Sequence, residues 1–507
     1  MFQFWRNPLV VLHVRSSLRP ARAAMVAAFS LVVCVLIAMG CWSGNSGNVR
    51  EFWAHFYGWL LGGQFALLGV WSASMCGQAV AQERQLKTFD FLKTTRLTTL
   101  EIMVGMILGA PIVAYFIIAC TLPITIVAGL IGGVSLAAIL GSILLLLSFN
   151  LFYSLAALLA SMMVEKSSSG AVGFLGLLCN LFFLAFMKGP FKGFAAISVL
   201  PAVISLHHLD VSLGHLDPTV FGLDVPCIIL TLLLYVSVGA WLVLMIVRNL
   251  KRDIPEIQPL SRWQCVGLAA FGNLLFYAFL DTSTLAMGYS INGFPPVTAF
   301  RVHEIASYAV TWNGVFLFLI GLAALSPHEK LKVWWRKWKA GASSYFAPDG
   351  LPWPWLVPAA VIGYAMLLTE ALGMRSAIPP GEWRLGIAAM AFGAFLAFTI
   401  RDVLFLQWCL LTRMKHPVMK GILALGLYNA AVSLVGLVVA IIATHSAAKV
   451  LSLLTPFVVV SELDNSSIPV AFILVGIALQ LGISVLILLA IQKRLARPVH
   501  APVAGES

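Results

Sequence analysis

Three groups of residues in this chain have types and spacings suited to chemistry. His207-His208-Leu209-Asp210, with His215 and Asp217 close behind, gathers imidazoles and carboxylates, the ligand types of a zinc or copper site. Their spacing fits no known metal pattern, and solvated loop residues are the plainer reading. Arg401-Asp402 places opposite charges in an apolar run. Adjacent residues on a helix point about 100° apart, so the two cannot face each other, and a pair snorkelling to the membrane interface is expected rather than a proton relay. The third group is the polar stretch from Gln82 to Glu101, set between two apolar runs. No G-x-x-x-x-G-K-[ST] phosphate loop occurs anywhere. No catalytic residue, cofactor site or metal ligand is therefore assigned to the chain.

The elements that must position these groups follow from composition. Of 507 residues, 60% are hydrophobic and only 10% charged, against roughly 25% charged in an ordinary soluble domain. That excludes soluble, disordered, collagen-like and disulfide-scaffold classes, and the 8 cysteines contain no C-x-x-C pair. The expected fold is all-α, a polytopic membrane bundle. Apolar runs of spanning length fall near 23–41, 55–81, 102–130, 134–164, 171–187, 226–247, 264–280, 305–326, 353–372, 385–408, 421–443 and 467–491, which makes twelve. The first is read as an uncleaved span rather than a signal peptide. Shorter pieces at 194–206 and 451–460 are read as re-entrant or interfacial segments.

Charge orients the bundle. With twelve spans both termini share a side, and that side carries 24 of the 32 Lys and Arg residues, against 7 opposite and Arg401 within a span. Basic residues mark cytoplasmic loops, so both termini are expected in the cytoplasm of a multi-pass protein of the cell (inner or plasma) membrane. The net charge of +12 thus records topology. No basic run is long enough to track nucleic acid.

Two segments read as helices outside the spans. In residues 1–22, Phe2, Trp5, Leu9, Leu12 and Ser16 share a face with Arg6 and His13 off it, and Asn7-Pro8 reads as a cap followed by proline at the first helical position. The stretch 82–101 has no Gly or Pro and should be helical through much of its length. Glu83, Lys87, Asp90 and Thr94 would then form a polar face, Leu86, Phe89, Leu92 and Leu97 an apolar one, and Phe91 would project as a knob. An amphipathic helix resting on the membrane is the alternative.

The same stretch resembles the signature E-R-x-x-G-T-hydrophobic-[DE]-x-L-L-x-T-P-L-[ST]-x-x-E of ABC-2 type transporter permeases. Glu83, Arg84, Thr88, Phe89, Asp90, Leu92, Thr95, Leu97, Thr98 and Glu101 match it, and Gly105 matches the glycine opening the next span. Lys87 stands where the family usually has glycine and Arg96 where it has proline; both departures favour continued helix. The resemblance implies that 82–101 is a coupling helix docking on a separate ABC ATP-binding subunit, with ATP and Mg held there. It also implies that residues 1–22 form an elbow helix. Glu83, Arg84, Lys87, Thr88, Asp90, Phe91 and Thr95 are the implied docking residues. Residues 23–250 form the resembling half and 251–507 the second, a degenerate repeat in which Arg401, Thr412 and Arg413 echo Arg84, Thr95 and Arg96 at an offset of 317. The implied function is an exporter permease in contact with the lipid bilayer, as a homodimer or beside an additional permease subunit. An ion-coupled secondary transporter, or a membrane enzyme built around 207–217, are the other readings.

Overall fold

A computed structural model describes residues 7–44, 48–163, 192–207, 218–221, 223–252, 258–280, 298–373, 385–412, 417–442 and 470–496. The chain divides into two compact units, one of residues 1–257 with 279–281 and the other of residues 258–278 with 282–507.

The first unit opens with α1 (Pro8–Ser17). Asn7 caps it, accepting from the Leu9 N–H, and Pro8 supplies a preset φ where no donor is needed. α2 (Pro20–Gly44) follows, then α3 (Val49–Ala66), a π-helical turn (Leu67–Ser72) and α4 (Ala73–Gln85). Together the last three make one continuous span of 37 residues. A β-carbon on Gly69 would lie 2.6 Å from the Phe149 ring, so the widened turn sits where the helix carrying Phe149 crosses closely. α5 (Phe89–Thr94), α6 (Thr99–Gly109), α7 (Ile112–Ile131), α8 (Leu136–Met163), α9 (Lys192–Ala195), α10 (Val199–His207), a two-residue strand pair (Thr219–Val220 with Leu223–Asp224) and α11 (Cys227–Asn249) complete it.

The second unit holds α12 (Arg262–Ala278), α13 (Thr298–Ala323), α14 (His328–Lys339), α15 (Leu356–Gly373), α16 (Leu385–Leu410), α17 (Pro417–Ile442) and α18 (Val470–Leu495). Its helix ends are tied by a buried guanidinium. Arg262 donates to the Ala324 carbonyl, to Ser326 Oγ at 2.8 Å and to the Gly350 carbonyl at 3.0 Å, and Gln407 exchanges two bonds with the Ser326 backbone at 2.8 and 2.9 Å. The start of α12, the ends of α13 and α16 and the approach to α15 therefore meet at one level.

Among the described residues seven helices are long and apolar enough to cross a membrane, or eight if the bent pair Tyr308–Ala323 and His328–Lys339 counts as one. A multi-pass helical membrane protein follows. The expected run 102–130 is divided, since Pro111 lacks a donor and the chain breaks between α6 and α7. The piece 194–206 forms two short helices, the second lying on α8 and α11, and Tyr235 of α11 donates to the Ile197 carbonyl between them at 3.0 Å. The runs 171–187 and 451–460 lie outside the described residues.

In-span polar side chains join neighbouring helices. Gln64 donates to Thr121 and Thr125 at 3.0 and 2.9 Å, Asn150 to the Tyr115 hydroxyl at 2.9 Å and Asn273 to Asn313 at 3.2 Å, whereas Asn429 bonds its own helix at Leu425. Such bonds are worth about 0.6–2 kcal/mol each in a bilayer, where apolar contact alone gives little preference for one neighbour.

Candidate functional site

The stretch 82–101 departs from a continuous helix: it forms the end of α4, all of α5 and the start of α6. α4 closes at Gln85 in a Schellman turn. The Thr88 N–H reaches the Glu83 carbonyl and the Lys87 N–H the Arg84 carbonyl, both at 3.1 Å, with Lys87 in the left-handed region at φ +57°. Lysine therefore makes the turn that glycine would make more cheaply. A second break follows at Thr95, whose ψ of 158° is extended. Helix resumes through a capping box: the Thr98 N–H donates to Glu101 Oε2 at 2.7 Å and the Glu101 N–H to Thr98 Oγ1 at 3.2 Å. The Thr98 N–H and, at 2.9 Å, the Thr98 hydroxyl donating to that carboxylate hold the Glu101 carboxyl below its ordinary pKa.

The breaks redistribute the expected faces. Leu86, placed on the apolar face with Phe89, is 63% exposed because the chain turns immediately after it, while Phe89 is buried. The polar face of Glu83, Lys87, Asp90 and Thr94 requires one uninterrupted helix and does not exist. Phe91 is 73% exposed: two positions after Phe89 it points about 200° away, so a buried anchor and an outward ring alternate on a six-residue helix.

α5 packs on α4, and hydrogen bonds hold the segments on either side of it. The Arg84 guanidinium lies over the Phe89 ring at 5.1 Å and donates to the Met162 carbonyl of α8 at 2.8 Å. Lys251, just past α11, donates to the Leu97 carbonyl at 2.8 Å. Asn7 donates to the Glu101 carbonyl at 2.7 Å, so the residue that caps α1 also ties it to α6. Phe89 seats among Val80, Ile102, Met103, Met106, Leu158 and Met162. Through its joins to α4 and α6, α5 is thus linked to segments that hydrogen bonds tie to α8, to the end of α11 and to α1.

Of the residues assigned to docking, Glu83, Arg84 and Thr88 build the turn. Thr88 Oγ1 donates to the Glu83 carbonyl at 3.1 Å and, closely, to its carboxylate. Lys87, Asp90 and Phe91 are exposed and Thr95 is half-buried. Asn7, Phe89, Lys251 and the Thr98–Glu101 box were not assigned. The T-x-x-E spacing was a readable signal for the last, whereas Lys251 lies 154 residues from its partner and left none.

α1 presents a different face from the one expected. Leu9 and His13 face α6, where a β-carbon on Gly105 would come 2.8 Å from Leu9 and one on Gly109 2.6 Å from His13; Leu12 is exposed. Phe2, Trp5 and Arg6 lie outside the described residues. Beside this contact α1, the π turn, α4 and the start of α7 enclose a cavity of about 290 Å³ with His13 and Glu83 among its walls. Burial lowers the His13 pKa and the Glu83 charge opposes the shift.

In the second unit Arg401 and Asp402 do pair, contrary to the expectation of snorkelling. Arg401 Nε lies 2.8 Å from Asp402 Oδ1 and Nη1 2.8 Å from Gln480 Oε1 of α18, with the Phe398 and Tyr428 rings about the guanidinium at 5.1 and 5.2 Å. Both charged residues are buried within the span. A long arginine can fold back along the helix to its neighbour even though the two Cα–Cβ bonds diverge. At the 317 offset the two arginines occupy different places: Arg84 is next to last in α4, and Arg401 lies well inside α16. Residues 208–217 and the side chain of His207 lie outside the described residues. Among those described, no cluster of His, Cys, Asp or Glu could hold a metal.

Compared with known families, curated proteins and solved structures, the chain matches no family model, no curated protein and no solved structure.

Proposed function

We propose that this multi-pass chain is the transmembrane permease subunit of an ATP-driven exporter of the ABC-2 type. Energy comes from ATP hydrolysed, with Mg, on a separate ATP-binding subunit. The observation that carries the reading is α5: a short helix whose exposed Phe91 and Asp90 sit over a buried Phe89, joined at its ends to segments that hydrogen bonds tie to α8, to the end of α11 and to α1. A knob so held transmits a push from a docked subunit to several spans at once, and the spans respond as packed elements with discrete arrangements. In this reading α5 and both termini face the cytoplasm of the cell membrane, α1 is the elbow helix, twelve spans are arranged in two related halves, and the scarcity of in-span charge favours a hydrophobic or amphipathic cargo.

Co-purification tests it. Phe91→Ala with Asp90→Asn should detach an ATP-binding partner, or abolish nucleotide-dependent transport in vesicles, while insertion and thermal stability stay unchanged. Undiminished partner binding and transport in that variant would sink the reading. A second reading, an ion-coupled secondary transporter, draws on the buried Arg401–Asp402 pair, since ionisable groups within spans commonly mark ion pathways. It requires transport driven by an ion gradient without nucleotide and lost in Asp402→Asn.

A further inference from the structure

We propose that α14 (His328–Lys339) is a membrane-surface element that binds the headgroups of acidic phospholipids. Six of its twelve residues are charged, five of them basic: Lys330, Lys332, Arg336, Lys337 and Lys339 against Glu329. That density excludes hydrocarbon as its surroundings. The helix turns 89° from Tyr308–Ala323, so where that segment runs across the bilayer α14 runs along its plane. Arg262 fixes the level: it joins the end of α13 to the loop before α15, placing α14 where spans terminate.

The faces of α14 are segregated. Leu331, Trp334 and Trp335 are buried, and Trp338 stacks on Trp335 with ring centres 4.9 Å apart. All charges occupy the remaining arc, with Lys330 and Lys337 on one flank, Lys332, Arg336 and Lys339 on the other, and Glu329 and Val333 between. Arg336, Lys337 and Lys339 are exposed. Tyr345 and Phe346, just beyond the helix, are also exposed, as aromatic side chains at a headgroup layer are. Two basic flanks on a helix lying in the interface, over a packed tryptophan layer, complement a sheet of phosphate groups. This inference does not rest on the transporter reading.

The test uses full-length protein in nanodiscs of phosphatidylcholine doped with phosphatidylglycerol, reading by mass spectrometry the lipid retained on extraction. The wild type should enrich phosphatidylglycerol, less so as salt rises, and Lys330→Gln/Arg336→Gln/Lys337→Gln should lower that enrichment about tenfold. The charge-preserving Lys330→Arg/Arg336→Lys/Lys337→Arg should retain it. Equal enrichment in the glutamine variant, enrichment indifferent to salt in the wild type, or an equal loss in a control carrying Arg15→Gln, Arg19→Gln and Arg22→Gln would each overturn the proposal. So would a glutamine variant that keeps its lipid but loses an acidic protein partner.

Discussion

Lys87 holds a left-handed backbone in which its β-carbon crowds the following carbonyl, at a cost of roughly 1 kcal/mol that glycine escapes. Lys87→Gly should therefore leave the thermal midpoint in detergent unchanged or raise it, and Lys87→Val should lower it. A fall with glycine would mean that the lysine side chain contributes more than its backbone costs. Glu101 offers a pH signature. Its folded pKa lies below the ordinary carboxylate value because Thr98 donates to the ionised form. The contribution is thus complete above the unfolded pKa and fades as pH falls through the folded one. The stability gap between wild type and Glu101→Ala should narrow on acidification; a gap that widens there would contradict the capping box.

At the scale of elements, the contact of α1 with α6 depends on the absence of two β-carbons. Gly105→Ala and Gly109→Ala drive a methyl into Leu9 and into His13, and overpacking of this kind costs about 1–3 kcal/mol. α1 should lift, and a cysteine placed at the buried Val10 should become more reactive to maleimide; unchanged labelling would show that α1 can shift without loosening. Arg262 works in the opposite sense, holding helix ends together through a buried charge. Arg262→Met removes the guanidinium bonds to the Ala324 and Pro348 carbonyls and to Ser326 Oγ, leaving the Gly350 carbonyl only the Ser326 hydroxyl, and a loss of about 3 kcal/mol is expected from thermal unfolding. Phe89→Ala opens a cavity beneath α5 and should cost about 3–5 kcal/mol, where Phe91→Ala costs almost nothing. That contrast separates the residue that seats the helix from the residue it displays.

For the whole molecule, the described residues make two compact units, each with its own polar ties between helices. Their in-span hydrogen bonds join particular helix pairs, a requirement where lipid is as apolar as the protein interior. In the proposed permease, a rearrangement of the spans must break or slide such pairs as units, so Gln64→Leu should alter transport rate more than membrane insertion. Insertion lost at the same time as transport would assign Gln64 to assembly instead.

Composition alone made this a helical membrane protein, because hydrocarbon leaves backbone groups no partner outside a helix or a closed barrel, and apolar runs of spanning length are countable. The Asn7-Pro8 cap was legible for the same local reason: its hydrogen bond lies two residues away. The break at Lys87 was not, since no residue there signals a turn and the left-handed backbone is held by the Schellman bonds and by Phe89 finding its pocket. Nor was the Arg401–Asp402 pair, whose geometry depends on Gln480, 79 residues later in sequence, and on two aromatic rings. Local periodicity fixes which segments are helices. Where a helix stops, which face it buries and which charges meet inside it depend on neighbours far along the chain, and only tertiary packing decides them.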